Sequence, residues 1–133
     1  MTFLDTGILV ASVLATHEEH KACLAAVEES ERPFTNALAL AESFATLTGF
    51  YGVPTDAAAG LTMSLVDCVT VEALALADYE TAIREARRRG VMGGGIYDSL
   101  HATFARRKGA KLIVTRNPSH FAHVAPDIEI LTP

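Results

Sequence analysis

The sequence of 133 residues is poor in cysteine and has no long apolar segment. Its two cysteines, Cys23 and Cys68, stand far apart outside any C-x-x-C motif, which predicts two small buried residues in a reducing cytosol. No signal peptide is expected, because Asp5 interrupts the first apolar stretch and no basic segment precedes it. No apolar run approaches the roughly 18 residues that a membrane span needs. These absences predict a cytoplasmic protein with no membrane segment.

Basic residues are scarce in the first part of the chain. Of the 11 lysines and arginines, only Lys21 and Arg32 precede residue 80. The others are Arg84, Arg87, Arg88, Arg89, Arg106, Arg107, Lys108, Lys111 and Arg116. The net charge of −5 argues against nucleic acid as a partner, yet the C-terminal half is locally basic. These cations fit two roles that are compatible with each other: compensation of helix dipoles at C-termini, or a patch that faces phosphate.

Apolar runs alternate with segments of helical periodicity, and no repeat or low-complexity stretch interrupts them. Strands are predicted at residues 2–5, 32–36, 67–74, 110–117 and 126–133. Because these strands are continuous apolar runs, they suit a parallel sheet that is covered on both faces. We therefore predict the α/β class, as a three-layer α/β/α sandwich around a mostly parallel five-stranded sheet. The length fits a single domain over residues 1–133.

Helices are predicted between the strands from their periodicity and end signals. The predicted helices cover residues 6–15, 17–30, 37–52, 54–66, 77–90 and 96–109. Thr6 can cap the first of them, and Pro54 suits the first turn of the fourth. Gly90 and Gly109 end the last two helices, as glycine commonly does.

Three carboxylates stand in places where an isolated charge is costly. Asp5 ends the first strand, at the sheet edge where parallel α/β proteins bind ligands. Glu42 interrupts an apolar helix, and Asp98 lies in the first turn of the helix after a run of glycines. Each has an ordinary explanation: Asp5 as a helix cap, Asp98 as a complement to the helix dipole, and Glu42 in a polar stripe. All three explanations would have to hold at once.

A second strand end adds oxygen donors at the same edge. Thr115, Arg116 and Asn117 follow the apolar run "KLIV", and two of them offer a hydroxyl and an amide oxygen. Hard cations such as Mg²⁺ prefer carboxylate, carbonyl and hydroxyl oxygens. Carboxylates that are brought together either raise a pKa or bind a cation.

In order along the chain, "FLDTGILVA", "NALALAESFATL" and "GGGIYDSLHATFARRKGAKLIVTRNPSHF" resemble the PIN-domain family. The similarity is greatest to the toxin ribonucleases of bacterial VapBC toxin–antitoxin pairs, and it extends over essentially the whole chain. Each motif alone is loose, but their combination in one short chain is fairly specific. The resemblance implies an α/β/α fold that gathers acidic residues at one sheet edge, holds Mg²⁺ or Mn²⁺, and cleaves RNA.

The residues that match the family's site are Asp5, Glu42 and Asp98, together with the strand-end hydroxyl of Thr115. The family's fourth acid usually follows that threonine by two positions, where this chain has Asn117. The resemblance therefore implies Asp5, Glu42, Asp98 and Thr115 as catalytic residues. It implies Asp5, Glu42, Asp98 and Asn117 as metal ligands. Asparagine keeps an oxygen but loses a charge, which leaves the binding of a second cation open.

Three further residues are weaker candidates for the site. Arg116 could bind a neighbouring phosphate, although an exposed arginine without such a role fits equally well. Thr6 is the other candidate for contact with the substrate. Asp127 could replace the missing fourth acid in principle, but nothing in the sequence puts it nearby.

The histidines have less specific explanations. His17 and His20, like His120 and His123, have an i, i+3 spacing that can bind zinc, but no third ligand is in view and we expect them to face solvent. His101 lies one turn after the third acid, where it either reaches the site or packs as an ordinary buried histidine. Phe121 is expected to cover the core.

Two other functions compete with the ribonuclease. A response-regulator phosphoacceptor also has an acidic strand end in a parallel sheet, but it needs paired acids there and an aspartate after the third strand. Only Asp5 stands at the first place, and "CVTVEA" ends without an aspartate. A PIN-like fold that binds RNA or protein without cutting is the other alternative, and Asn117 and the acidic net charge favour it.

The resemblance also implies protein partners. A cognate antitoxin would bind apolar residues of the early helices, and related proteins commonly form homodimers. The candidate antitoxin contacts are Phe44, Leu47, Phe50 and Tyr51, each of which could equally belong to the core.

Overall fold

A computed structural model describes all residues from Met1 to Pro133, and the apolar runs form five strands separated by helices. The strands are β1 (Thr2–Leu4), β2 (Pro33–Asn36), β3 (Thr70–Glu72), β4 (Leu112–Val114) and β5 (Glu129–Leu131). The helices are α1 (Thr6–Val13), α2 (His20–Glu29), α3 (Ala37–Gly49), α4 (Thr55–Cys68), α5 (Leu76–Glu85), α6 (Gly95–Arg107) and α7 (Pro118–Phe121). None of these helices is sufficiently long and apolar to cross a membrane.

The five strands form one sheet in the order β3-β2-β1-β4-β5, and every neighbouring pair is parallel. The strand order reverses at β1, so a crevice opens between the carboxyl ends of β1 and β4. This order differs from the 2-1-3-4-5 order of response regulators, which contradicts that alternative. The predicted α/β class is confirmed, with a sheet that is wholly rather than mostly parallel.

Successive strand residues point to opposite faces, which gives the three layers. Phe3, Phe34 and Ile113 pack with α6 and α7 on one face of the sheet. Leu4 and Val114 pack with α1, α2, α3 and α4 on the other. Because apolar residues cover both faces, the polar groups of the strands are displaced to the strand ends, where the candidate site lies.

Several predicted boundaries differ from the structure. The N-cap of α1 is Asp5 and not Thr6, because the Asp5 side chain accepts from the Thr6 N–H. Helix α2 begins at His20 rather than at residue 17, and α5 ends at Glu85, so Gly90 closes a turn beyond the helix with φ of +68°. The short α7 was not predicted.

The end of α4 explains two errors. The helix continues to Cys68, so β3 begins at Thr70 and not at residue 67. Leu65 and Val69 supply the buried contacts of this segment, and Cys68 points to solvent. The prediction that Cys68 is buried is therefore wrong, whereas Cys23 and Phe121 are buried.

Candidate active site

Asp5 joins the two central strands at the reversal of strand order. Its Oδ1 accepts from the Thr6 N–H at 2.8 Å, and its Oδ2 accepts from the Thr115 hydroxyl at 2.7 Å. Its own N–H donates to the Val114 carbonyl at 3.0 Å, and the residue is 6% exposed. Asp5 therefore caps α1 and also lies at the carboxyl edge of the sheet, so the two explanations of this residue are compatible.

Glu42 of α3 lies against the start of α1. Its Oε1 accepts from the Thr6 hydroxyl at 2.9 Å and from His101 Nε2 at 2.6 Å. Burial raises the pKa of Glu42, but the hydrogen bonds from His101 and Thr6 and the nearby imidazole outweigh it, so the net shift is downward. These contacts hold Glu42 as an ionised group beside Asp5.

His101 links Glu42 to the end of β2. Its ring is 1% exposed, and its Nδ1 lies 3.0 Å from the side-chain nitrogen of Asn36. The Asn36 Oδ1 already accepts from the Ala39 N–H and caps α3, so the amide nitrogen must be the donor to His101. This arrangement directs the imidazole proton at Nε2 toward Glu42. Although burial lowers the pKa of His101, the Glu42 carboxylate raises it overall.

Asp98 approaches the same crevice from the first turn of α6. Its Oδ2 lies 3.4 Å from Nδ1 of His120, and 27% of its side chain is exposed. Burial and the negative charge of Asp5 raise the pKa of Asp98, and the charge of Glu42 adds to the effect. The three acids therefore repel one another, and no lysine or arginine is paired with them.

Asn117 and Asp127 differ in their relation to the acids. The Asn117 backbone N–H donates to the Thr115 hydroxyl at 3.0 Å, while its exposed side chain forms no hydrogen bond. Asp127 precedes β5, at the opposite edge of the sheet, where it pairs with Arg106 through contacts of 2.7 and 2.6 Å. Asp127 therefore does not replace the missing fourth acid.

Most basic residues of the C-terminal half pair with carboxylates. The ion pairs are Arg84–Glu80, Arg88–Glu85, Arg89–Glu85, Arg106–Asp127, Arg107–Asp78 and Lys108–Glu72. These contacts favour structural roles for them over a common phosphate-facing patch. Arg116 differs, because it follows Thr115 and forms no salt bridge; its Nη1 lies 3.2 Å from His17 Nε2.

Sequence reasoning overlooked Asn36 and misjudged His17. Asn36 ends β2 and caps the next helix, as Asp5 does after β1, so the rule that identified Asp5 also applies to it. The expectation that His17 faces solvent is wrong, since it lies outside α2 and is 8% exposed. His120 and His123 are exposed, as predicted.

The acidic groups suit a hard divalent cation by their chemistry. No group of three or more histidine, cysteine, aspartate or glutamate side chains is close enough to form a complete metal cage. Mg²⁺, however, commonly takes only one or two carboxylates from a protein and keeps several waters. Burial raises the pKa of Asp98 most, and the negative charges of Asp5 and Glu42 add to it; a bound cation would offset this cost of holding the carboxylate ionised.

The family model of the PIN domain matches residues 2–126. The chain belongs to the PIN-domain family. No curated protein matches it in sequence.

Solved structures of low sequence identity share this PIN fold. VapC20 from Mycobacterium tuberculosis, described as a toxin that cleaves the sarcin–ricin loop, has a TM-score of 0.72 at 20% identity over 85% of this chain and 87% of its own. VapBC2 from Rickettsia felis was solved with a DNA fragment from its promoter. Its TM-score is 0.73 at 16% sequence identity, over 99% of this chain and 98% of its own. FitAcB from Neisseria gonorrhoeae has a TM-score of 0.70 at 15% sequence identity, over 98% of this chain and 96% of its own.

Proposed function

We propose that this protein is a Mg²⁺- or Mn²⁺-dependent endoribonuclease and the toxin of a bacterial toxin–antitoxin pair. The observation that carries the proposal is the meeting of Asp5, Glu42 and Asp98 at the strand-order reversal of a PIN-family sheet. Similarity to VapC20, described as a toxin that cleaves the sarcin–ricin loop, and to VapBC2 supports the substrate class and the biological role.

Each residue of the site has a distinct task in this proposal. Asp5 and Asp98 would hold the cation, and Glu42 would be a further ligand or would orient water. Asn117, which stands where the family usually has its fourth acid, would be the remaining ligand. A bound divalent cation supplies an activated water and neutralises charge on the phosphodiester. Thr115 and Thr6 fix the directions of the Asp5 and Glu42 carboxylates through their hydroxyl donors.

A PIN module that binds RNA or protein without cutting it is the second candidate. The observation in its favour is that Asn117 replaces an acid and that its exposed side chain bonds to none of the three carboxylates. Fewer negative charges bind a divalent cation more weakly. This candidate predicts RNA or protein binding that Asp98→Asn leaves unchanged.

An antitoxin and a second copy of the chain are the proposed protein partners. Of the residues predicted to contact an antitoxin, Leu47 belongs to the core and Phe44 is half-buried, whereas Phe50 and Tyr51 are exposed. Leu47 is therefore excluded from that role. A second apolar surface lies on α5, where the solvent-facing Leu76, Tyr79 and Ile83 form a stripe at helical spacing. This stripe is our candidate for the homodimer contact.

The test is RNA cleavage by the protein purified without any partner. Bacterial total RNA and synthetic stem-loops are incubated with wild type, Asp98→Asn and the control Asp127→Asn, in Mg²⁺, in Mn²⁺ and in EDTA. We expect cation-dependent cleavage that Asp98→Asn lowers at least about 100-fold, equivalent to ~2.7 kcal/mol of barrier, and that Asp127→Asn leaves unchanged. Wild-type protein that binds RNA without cutting it in any cation would instead support the second candidate.

A further inference from the structure

His17 and Arg116 bring two hydrogen-bond donors together without an acceptor. His17 Nδ1 accepts from the Glu19 backbone N–H at 2.9 Å, so the neutral ring carries its proton on Nε2. That Nε2 lies 3.2 Å from Nη1 of Arg116, which is also a donor. Two N–H groups cannot bond to each other, and His17 is 8% exposed, so neither donor has an acceptor within the protein and both depend on what enters the space beside them.

The two donors line an open pocket that also presents aromatic rings. The pocket has a volume of about 540 Å³, and Phe50 and Tyr51 form its aromatic part. The Tyr51 ring centroid lies 5.5 Å from that of His17, and Phe50 meets Tyr51 edge-on at 4.8 Å. Phe50 is 80% exposed, so its ring is accessible to a planar ligand.

The pocket adjoins the candidate active site through two elements. The Arg116 side chain begins beside Thr115, which bonds to Asp5, and passes close to Gly7 in the first turn of α1. Phe50 caps the C-terminus of α3, eight residues after Glu42, which corresponds to a helical rise of about 12 Å. A strand that crosses the carboxylates can therefore reach this pocket within a few nucleotides.

We propose that this pocket is a subsite for single-stranded RNA, in which a phosphate oxygen accepts from His17 Nε2 and Arg116 while a base stacks on Phe50 and Tyr51. The proposal rests on the ribonuclease function proposed above. Cationic and aromatic groups side by side are typical of single-strand binding surfaces. They favour RNA over an apolar protein segment, which would leave both donors unsatisfied.

The charged groups that line the pocket are the Arg116 guanidinium and the Glu18 carboxylate. Burial and the adjacent Arg116 lower the pKa of His17, so the ring remains a neutral donor near pH 7. Glu18 also lines the pocket and Glu19 lies close to His17, but neither carboxylate forms a salt bridge with Arg116. The guanidinium charge therefore remains available to a phosphate.

The test is RNA affinity, measured by fluorescence anisotropy with a labelled ten-nucleotide single strand of mixed sequence. Asp98→Asn protein in Mg²⁺ is the starting form, so that the strand stays intact, and Arg116→Gln, Phe50→Ala and the control Arg84→Gln are added to it. We expect about tenfold weaker binding for Arg116→Gln, with a salt slope that falls by about 0.7, and about fivefold weaker binding for Phe50→Ala. Arg84 is an exposed arginine of α5, and its loss is expected to change nothing.

The outcomes separate this proposal from the function on which it rests. If wild type cuts RNA while Arg116→Gln and Phe50→Ala bind like the Arg84→Gln control, the subsite is wrong and the nuclease stands. If the protein neither binds nor cuts RNA, both fail. Displacement of the strand by 10 mM inorganic phosphate would show that a free anion is the ligand and would overturn the RNA assignment.

Nitrogen-15 NMR of the histidine rings tests the donor geometry directly. We expect the Nε2–H tautomer for His17, and a shift of that resonance when the RNA strand is added. The Nδ1–H tautomer, or a resonance that RNA leaves in place, would contradict the proposal even where Arg116→Gln weakens binding.

Discussion

The acidic residues of this protein occupy two contrasting environments. Between α5 and α6, Asp78 is 1% exposed and accepts from Arg107 at 2.7 and 2.8 Å and from the Ala75 N–H at 2.8 Å. Asp127 forms a similar two-bond pair with Arg106. The arginine hydrogen bonds lower the pKa of Asp78 and lower that of Asp127 to about 2.

At the carboxyl edge of the sheet, the acids have no arginine or lysine partner. Asp5 and Glu42 accept from hydroxyls, a backbone N–H and an imidazole, and Asp98 has only the weak contact with His120. Burial and the neighbouring negative charges raise the pKa of Asp98. The fold therefore satisfies its carboxylates with cations in one region and leaves them to repel one another in the other.

This difference distinguishes acids that stabilise the fold from acids that are available for chemistry. A paired carboxylate contributes stability and is already neutralised, so it has little affinity left for a cation. Of the three acids at the sheet edge, Asp98 has a raised pKa and lowers stability slightly when it is ionised, and such a cost is typical of functional sites. The variants below test whether stability and activity separate in this way.

The largest effect on stability is expected from Asp78→Asn. The change removes the buried charge that satisfies Arg107, and we expect the free energy of unfolding to fall by about 2–3 kcal/mol with RNA cleavage per folded molecule unchanged. Urea denaturation gives the first quantity. Asp67→Asn, an exposed aspartate of α4, is the matched control, and an equal loss in both variants would contradict the role of the pair.

His101→Gln tests a positioning residue of the acidic edge. Glutamine can bond to Glu42 or to Asn36 but does not reproduce both contacts, so we expect a loss of about 1–2 kcal/mol in stability. If His101 positions Glu42, kcat falls while KM for RNA stays constant. His123→Gln, on an exposed residue, serves as the comparison, and an unchanged kcat in His101→Gln would show that the contact is only structural.

Asp127→Asn tests how the Arg106–Asp127 pair contributes to stability at different pH values. The pKa of Asp127 is lowered from 3.8 to about 2, so the pair stabilises the protein above pH 3.8, and this contribution is lost as the pH falls toward 2. Because the Asp127 side chain is 49% exposed, we expect a difference from wild type below about 1 kcal/mol at pH 6. Denaturation at pH 6 and pH 3 should show that the difference in unfolding free energy between wild type and Asp127→Asn is smaller at pH 3. A difference that is larger at pH 3 would contradict a stabilising Arg106–Asp127 pair.

Asp98→Asn should change the free energy of unfolding in the opposite direction from Asp127→Asn. Because the pKa of Asp98 is raised in the folded state, the folded protein loses stability as the pH rises from the pKa of the unfolded state through that of the folded state. In EDTA at pH 7, we therefore expect Asp98→Asn to be more stable than wild type, by less than about 1 kcal/mol. A variant that is less stable than wild type under these conditions would show that Asp98 has a stabilising partner.

The strand-end acids could be predicted because topology alone brings them together. In a parallel sheet, the carboxyl ends of all strands share one edge, so Asp5 and Thr115 meet although they are 110 residues apart. The same rule applies to Asn36, which was missed because an asparagine in that place is an ordinary helix cap. The contact of Asn36 with His101 depends on how α6 packs over β2, and no local pattern encodes that packing.

The partners of the basic residues and the burial of His17 were beyond sequence reasoning for a similar reason. Arg107 and Arg106 meet carboxylates 29 and 21 residues away, at positions set by helix packing. His17 continues the polar pattern of the following helix, yet α2 begins three residues later and the ring packs beside Tyr51 instead.

The most direct test of the account is cation binding by the acidic edge, measured by thermal unfolding. Wild type, Asp5→Asn and the control Asp127→Asn are heated in EDTA and then in Mg²⁺ or Mn²⁺. A cation at about 100 times its Kd stabilises the folded state by roughly 2.7 kcal/mol, or about 5–10 °C in a domain of this size. We expect this rise in wild type and Asp127→Asn and its loss in Asp5→Asn. No rise in wild type, or an equal rise in Asp5→Asn, would contradict it.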